Sequence, residues 1–209
     1  MQLPKELKNA ISALPATEKD KLIFRLLKKD PTLANRLLFE LVSNHTVEEE
    51  REKIKDNIKK KVAVFNEYWY SPGTFMMDIR YLTGEINEHV AVTKDKYGEA
   101  WLNLFMLNQV LAMHNERIIS TDYDRAEKLC IYIIAKTFKV LIAIHKLHED
   151  YFIDFSDRLK LLGNQINSNT YLTKTALKHG LDIKWLTDGQ IPHDIEQIHK
   201  DIRAKRLLK

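Results

Sequence analysis

The chain has 209 residues, 44% hydrophobic and 30% charged, a globular balance too apolar for an intrinsically disordered polypeptide. Its formal charge of +4 permits an acidic partner but falls short of the basic density of a dedicated nucleic-acid binder. The single cysteine, Cys130, sits in an apolar run and excludes an internal disulfide; it reads as a small buried hydrophobe.

The 6 glycines and 5 prolines fall mostly where apolar patterns break, and strand alternation is absent. This punctuation predicts an all-α, multi-helix bundle of about nine helices with two central, largely buried ones. Residues 1–44 read as an N-terminal region of three short helices, and 45–209 as the main bundle. In the first region Leu3, Leu7, Ile11 and Leu14 make one stripe; Thr17 is the expected cap of a second helix, and Asp30-Pro31 opens a third. Pro4, Pro15 and the alternating charges leave no apolar core for a signal peptide, so a cytoplasmic location is expected.

Thr46 is the expected cap of a long helix with Glu48, Glu49 and Glu50 in its first turn and lysines later, the order that the helix dipole favours. Ser71-Pro72-Gly73 turns the chain into a helix over about 72–92. Thr93 is then the expected cap of a helix over about 94–117, apolar on nearly every side. Asp122 caps the next, to about His148. Its stretch from Leu129 to Leu147 has the length of a membrane span but carries Lys136, Lys139, His145 and Lys146, which argues for a core helix and against a membrane. An amphipathic segment over 151–167 follows, then a short helix from Asn169 or Thr170 to Gly180. After Asp188-Gly189 and Pro192 comes a last helix with Ile191, Ile195, Ile198 and Ile202 facing inward. No residue pattern recurs at constant spacing, so a bundle is favoured over a repeat array.

Three constellations carry candidate chemistry. Asp78, Glu85 and His89 lie along one strip of their helix at about 100° per residue, while Glu88 points elsewhere. Bundle di-metal sites use a Glu-x-x-His pair on each of two helices, a pattern absent here, so a polar flank competes with a metal site. His145 and His148, one turn apart, form a second candidate pair of metal ligands. Third, Arg125, Lys128, Tyr132, Lys136, Lys139 and Lys146 fall within a strip roughly 80° wide on the 122–148 helix, which reads as its solvent-facing side. The terminal helix adds Lys200, Arg203, Lys205, Arg206 and Lys209. Together they suggest a surface for an acidic partner or a phosphate backbone, with Tyr132 as a stacking group; lysines snorkelling from a nearly buried helix are the plainer account.

The ring cluster Phe65, Tyr68, Trp69, Tyr70 and Phe75 is expected to seal a helical hairpin. Asn103, Asn108, Gln109 and Asn115 are expected as buried amides that satisfy neighbouring backbone. Glycine-rich phosphate loops, nucleophile elbows and paired cysteines are all missing, and no cofactor is expected. The leading expectation is a non-enzymatic protein-interaction or scaffold protein, with a protein partner or a homo-oligomer. Nucleic-acid binding through the basic strip comes second, and a metal-dependent bundle enzyme third.

Overall fold

A computed structural model describes residues 2–208, leaving Met1 and Lys209, the last of the terminal basic residues, outside the described residues. Among the described residues there are eleven α-helices and no strand, so the chain is an all-α bundle with two helices more than the sequence pattern predicts. Backbone contacts divide it into two compact units, Met1–His45 with Ala91–Thr93, and Thr46–Val90 with Lys94–Lys209.

The first unit holds α1 (Lys5–Ala13), α2 (Ala16–Leu27) and α3 (Pro31–Leu41). Asp30 caps α3 through its carboxylate, which accepts from the Leu33 amide at 3.0 Å. α2 starts one residue before Thr17, with Pro15 at the cap position and no side-chain cap; the Pro15 carbonyl accepts from the Glu18 and Lys19 amides instead. No residue of the three helices is buried, and Phe24, Leu38 and Leu41 are more than half exposed.

The second unit begins with α4 (Val47–Glu67), whose Thr46 and Glu49 form a reciprocal capping box. α5 (Pro72–Thr93) follows, and Lys94 then takes a left-handed conformation that closes it. The following helix, α6 (Lys96–Ser120), is capped by Asp95 and not by Thr93: the Asp95 carboxylate accepts from the Gly98 amide at 2.7 Å. It also accepts two bonds from Arg51 at 2.7 and 2.9 Å, and lies 3.2 Å from His89 Nε2, a network that anchors the start of α6 to α4 and α5. Gly98 is required here, because a Cβ would come within 1.9 Å of the Asp95 carboxylate.

α6 packs on α4, on α7 (Tyr123–His145), on α8 (Phe152–Asn167) and on α9 (Thr170–Lys178). Its apolar surface is therefore buried on several sides, as is that of α7, through Leu104, Met106, Leu107, Ile133, Ile134 and Phe138. Amides stitch α6 to α8 and α9: Asn108 and Asn115 donate to the Arg158 and Gln165 carbonyls, and Asn169 donates to Asn115 Oδ1 at 2.6 Å. Phe65, Trp69 and Phe75 gather around the buried His114, but Tyr68 and Tyr70 are 77% and 86% exposed and take no part.

Two features near the end of the chain escape the periodicity. A four-residue helix, α10 (Lys184–Thr187), sits against α8 at Gly163, where a Cβ would meet Thr187 and Leu186 at 2.9 to 3.1 Å. α11 (Ile195–Ala204) packs on α7 through Ile195 and Ile202. Beyond it, Arg206 and Leu208 both have positive φ, a strained choice for side chains with a Cβ. Tertiary bonds hold this tail: the Leu208 amide donates to His179 Nδ1 at 3.0 Å, and Arg203 donates to the Leu208 carbonyl at 3.1 Å.

Candidate functional site

The basic strip of α7 is not uniformly wet. Arg125, Lys128, Lys139 and Lys146 are exposed, but Lys136 is only 7% exposed. A helical wheel places it correctly; what it omits is the cover on that side of α7. Burial, then the nearby charge of Lys139, pushes the Lys136 ammonium down to about 8. The charge of Glu99 acts the other way and more weakly, and Lys136 makes no direct hydrogen bond or ion pair among the described residues.

Lys136 lines a cavity of about 340 Å³ walled by α5, α7, α11 and the tail. Five cationic side chains face it, Arg80, Lys128, Lys136, Lys139 and Arg203, with His199 beside them and, among the described residues, no Asp or Glu in the wall. The remaining wall is mostly apolar, from Met76, Ile131, Ala135 and Leu208, together with Tyr132 and Thr83. Arg80 lies over the Tyr132 ring at 5.3 Å, and the Tyr132 hydroxyl is 3.3 Å from that of Thr83, so the ring is held from both ends. His199 is held below its usual range by burial and by the charges of Arg203 and Lys139.

Of the five cations only Lys136 is buried, while Arg80, Lys128, Lys139 and Arg203 are exposed; the desolvation therefore falls on Lys136, where the charge of Glu99 offsets it only in part and an anion from outside would offset more. Elsewhere on α7 the protein supplies the counter-charge itself: Lys146 lies 3.5 Å from Glu196 of α11. A second cavity, of about 200 Å³, shares Thr83, Lys136 and Lys139 with the first. Its other walls are polar: Asn87, Glu99 and Asn103, with Val140 and Ala143. Asn103 is 7% exposed; its amide nitrogen donates to the Glu99 carbonyl at 2.7 Å, while its Oδ1 has no partner.

Of the strip residues, Lys128, Tyr132, Lys136, Lys139 and Arg203 thus meet around one cavity, whereas Arg125, Lys146 and Arg206 stand outside its wall. Arg80, Thr83 and His199 are absent from the sequence reading. Met76, Arg80, Thr83 and Asn87 follow each other at helical spacing along one face of α5, a signal masked by the acidic strip on its other face.

The proposed metal ligands do not converge. Glu85 bonds to Asn57 at 2.6 Å and pairs with Lys61, and His89 is committed to Asp95. The His145 ring lies 6.3 Å from that of His193, and the exposed His148 is 3.1 Å from Asp150. Among the described residues no group of three or more His, Cys, Asp or Glu side chains is placed to hold a metal ion. Cys130 is buried, and desolvation raises its thiol to about 12, far from a reactive thiolate. No described helix is long and apolar enough to cross a membrane.

The chain matches no model of a known protein family, no curated protein and no solved structure.

Proposed function

We propose that this chain is an anion-binding helical protein whose ligand occupies the cationic cavity between α5, α7 and α11. The observation that carries the reading is the convergence of Arg80, Lys128, Lys136, Lys139 and Arg203 on one hollow with no Asp or Glu in its wall among the described residues. The cavity falls at the lower end of the volumes that small-molecule sites occupy, roughly 300–1,000 Å³, and has their mixture of apolar wall and few convergent charges. Calorimetric titration with inorganic pyrophosphate, a compact polyanion, tests it. Saturable binding that Lys139→Glu combined with Arg203→Glu abolishes supports the reading. Heat indistinguishable from dilution in the unmodified protein contradicts it.

A second reading, a protein-interaction or scaffold role, rests on the first unit. Its three helices bury no residue while Phe24, Leu38, Leu41 and Val42 stand exposed, and apolar surface of that kind favours association. In its homo-oligomer form this reading requires a light-scattering mass above that of the monomer that falls to it on replacing Phe24 and Leu41 with serine; a monomeric mass at high concentration removes that form.

A further inference from the structure

We infer, resting on the anion-binding reading, that the ligand is a small phosphorylated polyhydroxy compound, of the sugar-phosphate class, spanning both cavities. Thr83, Lys136 and Lys139 belong to both walls, so a molecule held at one cavity lies beside the other. The two differ in what surrounds the shared lysines. The larger has, among the described residues, cations and no Asp or Glu, and suits a phosphate, which takes several charge-assisted hydrogen bonds at once. The smaller sets Glu99, Asn87 and Asn103 beside the shared Thr83, Lys136 and Lys139.

A carboxylate and amides beside the two shared lysines offer acceptors and donors together, the set that hydroxyls, which both donate and accept, satisfy. A phosphate against the larger wall and hydroxyls against the smaller therefore suit the two together. Glu99 also lies 3.3 Å from the exposed Lys96, which is not part of the cavity wall. The arrangement also argues against a polymer. A nucleic-acid backbone tracks along an open groove, whereas here the cations surround a pocket closed at one side by the bonded tail of Leu208.

The test is a titration panel on the full chain at fixed ionic strength: inorganic phosphate, ribose 5-phosphate, ribose, butyl phosphate and a single-stranded oligonucleotide. Ribose 5-phosphate is expected to bind at least about tenfold tighter than inorganic phosphate or butyl phosphate, the gain of roughly one or two added hydrogen bonds, with ribose alone too weak to detect. Glu99→Gln with Asn87→Ala, at a partly exposed and an exposed position, is expected to bring ribose 5-phosphate down to the level of phosphate measured on the same variant, whose phosphate affinity rises as the Glu99 charge beside Lys136 is removed. Equal binding of phosphate and ribose 5-phosphate overturns the polyhydroxy inference but leaves anion binding intact. Preference for the oligonucleotide overturns it in favour of a polymer. Absence of binding by every anion overturns both.

Discussion

At Asp95 a carboxylate with a 3% exposed side chain accepts from Arg51, the Gly98 amide and His89, and those partners hold it down to about 2 against burial, which pushes the other way. Removing one side of such a pair strands the other charge, so Asp95→Ala is expected to cost about 3–5 kcal/mol in denaturant unfolding. The pair's pH dependence follows from the direction of the shift. A carboxyl lowered from 3.8 to about 2 contributes fully above about pH 4, and its contribution disappears as pH falls toward 2. His114 works on a higher window: buried and held down to about 4, it stays neutral in the fold while the unfolded chain takes up a proton below its ordinary 6.5. Stability therefore declines between about pH 6.5 and 4. His114→Gln is expected to flatten that slope in unfolding curves measured across the range, and an unchanged slope would contradict the assignment.

Lys136 raises the same question with a functional answer. Its ammonium is desolvated, so the folded state binds this proton less tightly than the unfolded chain does, and the penalty is present in full below about pH 8. Lys136→Met is expected to raise the melting temperature of the free protein, by a few degrees for roughly 1–2 kcal/mol, and to weaken pyrophosphate binding. The wild-type affinity should also fall as pH rises from 7 to 9 and Lys136 loses its charge. A variant that is both less stable and unchanged in binding would mean the side chain has a structural role only.

At the scale of elements, the start and end signals of most helices are written in the residues. Asp30-Pro31, Thr46 with Glu49, Ser71-Pro72, Asp122 and Asn169 all cap the helices their sequence announces, because each satisfies an orphan amide locally. Asp95 escapes the pattern because Thr93, two residues earlier, offers an equally acceptable cap, and the choice is made by Arg51, which is 44 residues away. α10 escapes it because four residues show no period; its place depends on the bare backbone of Gly163. Gly163→Val is expected to force α10 off α8 and destabilise by about 1–3 kcal/mol, read as a lowered denaturant midpoint. The α11 tail is legible only in part: the inward face of Ile195 and Ile202 follows from spacing, whereas the seating of Leu208 on His179 does not.

On the scale of the molecule, the two units differ in how much they bury. α1 to α3 contribute no buried residue, while α5, α6 and α7 carry most of the core, so the open state of the first unit lies closer in free energy to its closed state. Limited proteolysis is expected to cut within residues 1–45 first and leave a resistant fragment that begins near Thr46; cleavage starting in α6 or α7 would reverse that ordering. The candidate site is a property of this scale as well. Helical wheels of single elements find the lysines of α7, since a strip belongs to one helix, but they cannot find the cavity, which exists only because α5 and α11 bring Arg80, His199 and Arg203 to the same side of α7. The same three-helix arrangement takes Lys136 out of water, the one respect in which the strip differs in kind from a solvated face.

The claim that anions bind in that hollow is tested most directly by backbone amide chemical shifts followed through a pyrophosphate titration at constant ionic strength. Saturable shifts are predicted on three separate stretches, around Met76 to Thr83, Lys128 to Lys139 and His199 to Leu208, with a common dissociation constant. Shifts that do not saturate, or that gather on the Lys55, Lys59 and Arg158 face over Trp101 and Phe105, would contradict the account.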